Sequence, residues 1–250
     1  MKIYKNKHPN IRKISLLFAT QVLLGTLPVA LFAIYVIYVQ RLEALEEYNL
    51  SFGIAFLGIM VLSLIGYSVA SKRYNVLISG YRGEKILVKT AKRLKGDYTI
   101  FVNLPVRYKK NRSEIDLLLI GKKGLLFIEV KNHSGVIIGT EGCALWTQRK
   151  YYRKGKVTET PMENPLRQIK RQREILKSIL RANGHDVWID SILFFSGNPG
   201  LKLNVTGNIA IASNENELTD LINDYHTETP LDSRKIDEIS KVLRSCGKIN

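Results

Sequence analysis

Two long stretches of this chain contain no charged side chain, and they constrain its fold more than any other feature. Residues 14–39 hold none across 26 positions, and residues 50–70 hold none across 21. A helix of about 20 apolar residues covers a hydrocarbon core about 30 Å thick. Both runs therefore predict membrane-crossing helices, over 14–39 and 50–70. Only residues 40–49 separate them, so the pair reads as a helical hairpin with both ends on one side. Pro28 and Gln21 interrupt the first run. A proline is tolerated in a membrane helix when neighbouring groups satisfy the carbonyl it frees. A cleaved signal would share the basic start, but its apolar part runs only about 7–15 residues.

The flanks orient the hairpin. Residues 1–13 carry Lys2, Lys5, Lys7, Arg12 and Lys13 and no acid. The link carries Arg41 against Glu43, Glu46 and Glu47, and Lys72 and Arg73 follow the second run. Basic flanks stay in the cytoplasm. The expectation is a multi-pass protein of the cell membrane. Its basic N-terminus (1–13) and its domain (71–250) are cytoplasmic, and an external loop spans 40–49. Cys143 and Cys246, the two cysteines, cannot staple a fold this size and read as thiols of a reducing compartment.

The net charge of +16 is unevenly spread. Residues 71–181 hold 26 basic and 9 acidic side chains, and residues 182–250 hold 6 and 10. A basic half beside a mildly acidic one points to nucleic acid or an anionic bilayer surface as partner. Periodicity predicts helices over 83–95, 164–182, 215–225 and 233–246. Strands are predicted over 98–104, 114–120, 125–131, 187–196 and 208–212, with a ragged hairpin over 146–157 turning at 154–156. This order describes an α/β fold, a mixed sheet with helices on its faces.

The segment 113–135 (SEIDLLLIGKKGLLFIEVKNHSG) holds the chemistry. With Gly121 opposite Gly124 around a Lys122–Lys123 turn, antiparallel partners sum to 245. Asp116 then falls opposite Glu129, and directly opposed residues share a face. Lys131, two residues on, shares it too. The flanking runs 117–120 and 125–128 are apolar on both faces, which describes a covered central pair. Two opposed carboxylates there repel, and burial pushes one to take a proton. A divalent cation relieves both effects, and Mg²⁺ or Mn²⁺ suits oxygen ligands of this kind. The alternative is a surface ion pair of Glu129 with Lys131 and a frayed strand end at Asp116. No spaced His or Cys set suggests zinc.

Asp116 followed by Glu129-Val130-Lys131 resembles the D…(D/E)xK signature of the PD-(D/E)xK nuclease superfamily. Gly83-Glu84, Glu114-Ile115-Asp116, Ile128 to Asn132, Ser134-Gly135, Trp146 and Asn164-Pro165-Leu166-Arg167-Gln168 narrow the resemblance to the nuclease-related domain (NERD) family, over about 79–196. The resemblance implies a restriction-endonuclease-like core, with a C-terminal extension to residue 250, and a metal-dependent nuclease activity. By position, Asp116 and Glu129 would be metal ligands and Lys131 the catalytic lysine. Glu84 would be a helix-borne acid and Gln168 an accessory polar residue. The family often has Gln where this chain has Glu114, which adds negative charge near the metal.

The 164–182 helix presents an outer stripe of Lys170, Arg173, Lys177 and Arg181 that could meet phosphates or be a solvated face. The stretch from Trp146 to Lys156 interleaves aromatics with five basic residues, Arg149 and Lys150 among them. It could stack bases or be a hairpin whose aromatics pack on the sheet. The expected function is a membrane-anchored nuclease dependent on Mg²⁺ or Mn²⁺ that hydrolyses nucleic-acid phosphodiesters, DNA favoured over RNA. A catalytically silent nucleic-acid tether and a membrane-surface scaffold are the alternatives.

Overall fold

A computed structural model describes residues 1–41, 49–94, 96–207, 209–227 and 230–247. The chain forms two compact units, one of residues 9–79 and one of residues 1–8 with 80–250. Residues 42–48, the centre of the expected external loop, lie outside the described residues.

The first unit is a helical pair, α1 (Ile11–Arg41) and the greater part of α2 (Asn49–Ala91). Both are long and apolar enough to cross a membrane. The two helices run antiparallel, with Phe18 near Tyr74 and Phe32 near Phe56. Leu24 fits against Gly66. Gln21 donates to the Ala70 carbonyl at 3.4 Å, so the polar side chain inside the first run has a partner on the second helix. Apolar side chains such as Leu16, Val29 and Leu62 remain 68–70% exposed, unlike those of a soluble protein's core helix.

The expected helix over 83–95 is the last part of α2, not a separate element. Nothing between Ser71 and Arg82 stops a helix; the stretch has no proline and keeps the apolar residues Val76, Leu77 and Ile78. By compactness the boundary falls at residue 80 rather than 71, and residues 1–8 join the second unit.

That unit is α/β. Its six-stranded sheet has the order β1-β2-β3-β4-β8-β10. The strands are β1 (Lys2–Lys5), β2 (Thr99–Tyr108), β3 (Asn111–Gly121), β4 (Gly124–Lys131), β8 (Ile189–Phe195) and β10 (Ala210–Ala212). β2, β3 and β4 are antiparallel, and β1, β8 and β10 pair in parallel with their neighbours. Alternation sends Leu118, Ile120, Leu125 and Phe127 into a core with α3 (Pro165–Ala182) and α5 (Ser233–Gly247). Leu117, Leu119, Leu126 and Ile128 enter a core with Leu87 of α2 and with α4 (Glu215–Asp224). Covered on both faces, β3 and β4 are apolar without a break.

A second sheet, β7-β6-β5-β9, comprises β5 (Val136–Thr140), β6 (Leu145–Tyr151), β7 (Val157–Glu163) and β9 (Gly200–Asn204). The expected hairpin over 146–157 is β6 and β7, extended. β5 and β9 are short and partly exposed, too weakly patterned to be read beforehand. Trp146 is 1% exposed, and its indole donates to the Thr140 carbonyl at 2.9 Å. A Cβ on Gly139 would lie 2.4 Å from the indole, so only glycine leaves room for it. Trp146 is therefore core and does not stack bases; Tyr151 and Tyr152 are the exposed aromatics of this hairpin.

Candidate active site

The β3–β4 register runs from Gly121↔Gly124 to Leu117↔Ile128, the sum of 245 expected from the turn. The ladder stops one rung short of Asp116 and Glu129. β4 instead continues beside β8 as far as Lys131↔Phe195. At the opening Asp116 turns its side chain to the backbone, and Oδ2 accepts from the Val130 amide at 2.8 Å.

Glu129 is 2% exposed and fully partnered. Its Oε1 accepts from Lys131 Nζ at 2.6 Å and its Oε2 from Gln172 Nε2 at 2.7 Å. Gln172, 0% exposed, also donates to the Glu114 carbonyl at 2.7 Å and so ties α3 to β3 and β4. Lys131 Nζ donates in addition to Gln168 Oε1 at 2.9 Å. Gln168 and Gln172 are one helical turn apart and face the sheet together.

α3 is aimed by its start. Asn164 caps it, accepting from the Leu166 amide at 2.9 Å. The same side chain donates to the Glu141 and Cys143 carbonyls, and Pro165 takes the first helical position. The Asn-Pro-Leu-x-Gln motif is thus a helix start with its polar residue one turn in.

Glu84 reaches the site from α2. A Cβ on Gly83 would lie 3.0 Å from both Asn132 Cβ and Ser196 Oγ, so the glycine brings the helix close to the ends of β4 and β8. Glu84 Oε1 lies 2.9 Å from His8 Nε2, and Oε2 accepts from Asn103 Nδ2 at 3.1 Å.

The electrostatics reflect crowded carboxylates. Burial first, then the Glu129 charge, pushes Asp116 well above its ordinary range. Burial likewise raises Glu84. Glu114 is raised to about 7 by burial and by the charges of Glu84 and Glu129. Burial alone would lower Lys131, but the adjacent Glu129 carboxylate outweighs it and holds the ammonium above its usual value. Burial holds His133 below its usual value.

Asp116, Glu129, Lys131, Glu84 and Gln168 are therefore brought together. The basic residues singled out from sequence are mostly engaged elsewhere. Lys170 pairs with Glu141 at 3.0 Å, Arg181 with Asp186 at 2.9 Å and Arg149 with Glu159 at 2.7 Å. Arg173 donates to Ser191 Oγ at 2.5 Å. Lys177 and Lys150 are half-buried. A cleft of about 600 Å³ opens instead beside Lys131, lined by His133, Glu163, Arg167, Gln168 and Arg171 among others. Arg167 and Arg171 are exposed, four residues apart on α3, and in no ion pair among the described residues. Helical phase could have found both arginines, because they share the flank of Gln168. Gln172 had the same signal, whereas nothing local pointed to His8 or Asn103.

Residues 79–196 match the nuclease-related domain family. The chain is also similar to an uncharacterized protein of Bacillus anthracis, 28% identical over 114 residues, 45% of this chain and 53% of that protein. It thus spans about half the length of that relative. No solved structure matches. Just under half of this chain, residues 79–196, is thus similar to the nuclease-related domain (NERD) family.

Proposed function

We propose that this chain is a membrane-anchored nuclease that uses Mg²⁺ or Mn²⁺ to hydrolyse phosphodiester bonds, with DNA as its first substrate. The observation that carries the reading is the meeting of Asp116, Glu129, Lys131 and Gln168 at the opening of β3 from β4, beside a cleft with two arginines that pair with no acid among the described residues.

The residues fit a small oxygen-seeking cation. Burial and the neighbouring charges of Glu129 and Glu84 raise the carboxyls of Asp116 and Glu114, a strain that a cation would relieve. Asn103 Oδ1 is a buried oxygen without a hydrogen-bond partner among the described residues. Asp116 and Glu129 would hold the cation, which when bound activates water and stabilises charge on the phosphate. Lys131 keeps its ammonium at the site, charged, where it can neutralise a phosphate oxygen. Gln168 orients that ammonium, and Gln172 holds Glu129. Arg167 and Arg171 would seat the phosphates of the strand in the cleft.

The membrane reading rests on the two exposed apolar helices. Both termini are assigned to the cytoplasm. The basic flanks support this, as does β1, whose pairing with β2 sets residues 2–5 on the same side as the α/β unit.

A second reading is a catalytically silent tether. Both Glu129 oxygens are taken by Lys131 and Gln172, and among the described residues no three His, Cys, Asp or Glu groups converge on a point suited to a metal. The whole chain of 250 residues in detergent decides between them. A nuclease cuts DNA or RNA with Mg²⁺ or Mn²⁺ and loses cleavage in Lys131→Ala, whereas a tether binds nucleic acid and cuts nothing.

A further inference from the structure

The Glu84 carboxylate is held at both oxygens by residues from outside the recognised motif. His8 comes from the segment just before the first apolar helix. Strand β1 delivers it: Lys2 to Lys5 pair in parallel with Thr99 to Val102, and the Asn6 amide donates to the Val102 carbonyl at 3.0 Å. The His8 side chain is 7% exposed, 2.9 Å from Glu84 Oε1, and its ring meets Tyr81 edge-on at 5.1 Å. Asn103 follows Val102 directly. Its backbone is left-handed, with φ of 52° in the middle of a strand, a conformation in which asparagine is over-represented. It is 4% exposed, donates to Glu84 Oε2 at 3.1 Å, and its Oδ1 has no hydrogen-bond partner among the described residues. Strained backbone and an unsatisfied buried acceptor gather at functional sites rather than in plain sheet.

We propose that His8 and Asn103 are positioning residues that fix the Glu84 carboxylate toward Asp116 and Glu129, so that the working site includes the N-terminal segment. The inference rests on the nuclease reading above. It places part of the site at residues 1–8, outside the 79–196 match. A fragment beginning at residue 71 or 79 lacks β1 and His8, and the inference predicts that it works poorly. A His8–Glu84 pair that only fastens β1 to the sheet changes stability alone when removed, whereas a positioning role changes metal affinity and kcat.

The test uses the full chain in detergent micelles with His8→Ala, His8→Gln and Asn103→Gly. Glutamine can still donate to Glu84, and glycine keeps the left-handed backbone while removing the amide. Mn²⁺ affinity is read by spin-resonance titration, kcat and KM by cleavage, and the thermal midpoint without metal. Loss of a residue that orients a metal-site carboxylate costs about 10–100-fold in metal affinity or activity. The expected result is a loss of that size in Mn²⁺ affinity and kcat for His8→Ala and Asn103→Gly. KM stays near wild type, and His8→Gln recovers most of the loss. Unchanged Mn²⁺ affinity and kcat in His8→Ala, with or without a lower midpoint, overturns the inference. So does equal loss in His8→Ala and His8→Gln. A wild type that neither binds Mn²⁺ nor cuts removes the nuclease reading itself, a result distinct from an active wild type with an indifferent His8.

Discussion

Asn103 lies across from Asp116, between the pairs Val102↔Leu117 and Leu104↔Ile115, where the backbone of β2 turns left-handed. The turn resets the alternation of the sheet. Phe101 and Leu104, three residues apart, both enter the core beneath α3, as do Leu118 and Ile115 on the facing strand. In a regular strand residues three apart point to opposite faces. The sheet therefore closes over apolar residues below this point and opens at it, and the opening is where the carboxylates gather.

The two central carboxylates should respond oppositely to neutralisation. Asp116→Asn should be neutral or stabilising without metal. An amide oxygen can still accept from the Val130 amide, and a repelling charge is gone. Glu129→Gln should destabilise by about 2–3 kcal/mol, because Lys131 loses its counter-charge. That is below the ~3–5 kcal/mol for breaking a fully buried pair, since the Lys131 side chain is 25% exposed. Denaturant unfolding of both variants in EDTA would measure the contrast, and a stabilised Glu129→Gln would contradict it.

Stability without metal should fall as pH rises toward neutrality. The Glu114 carboxyl is raised to about 7 from an ordinary 4.5, so the folded state keeps a proton that the unfolded state releases. Stability from that proton is complete below about 4.5 and lost as pH passes 7. Asp116 and Glu84 are raised as well and add in the same sense. Thermal midpoints from pH 5 to 8 should decline, Glu114→Gln should flatten the decline, and Mn²⁺ should restore the midpoint most at the high end.

Nucleic-acid binding should depend on the cleft arginines more than on the outer stripe. Arg167→Ala with Arg171→Ala should weaken binding and reduce the salt slope by about 1.4–1.8, the release expected for two phosphate contacts. Lys170→Ala with Arg181→Ala should change it little, because both side chains already face carboxylates of the chain. Fluorescence anisotropy over a salt series compares the pairs, and equal slopes would return the arginines to a solvated surface.

Topology is open to direct labelling. In a background without Cys143 and Cys246, both free thiols, Leu45→Cys should react with an impermeant reagent on intact cells and Thr160→Cys should not. Reaction at 160 alone would reverse the orientation and remove access to cytoplasmic nucleic acid.

Several features followed from local physics, which sequence expresses directly. Runs of 26 and 21 uncharged residues became two helices long and apolar enough to cross a membrane. The tight Gly121–Gly124 turn determined the β3–β4 register, because one residue of slip would turn every side chain to the other face. Asn164-Pro165 announced α3, because a cap and a fixed φ act within one turn. Tertiary structure alone decided what depends on meetings between distant segments. It seated Trp146 against Gly139 and gave Lys170, Arg181 and Arg149 to carboxylates of the chain. It left Arg167 and Arg171 on the cleft, and it brought His8 and Asn103 to the two oxygens of Glu84. No spacing records a contact between residues 76 positions apart, because such a contact depends on which strands the whole chain packs side by side.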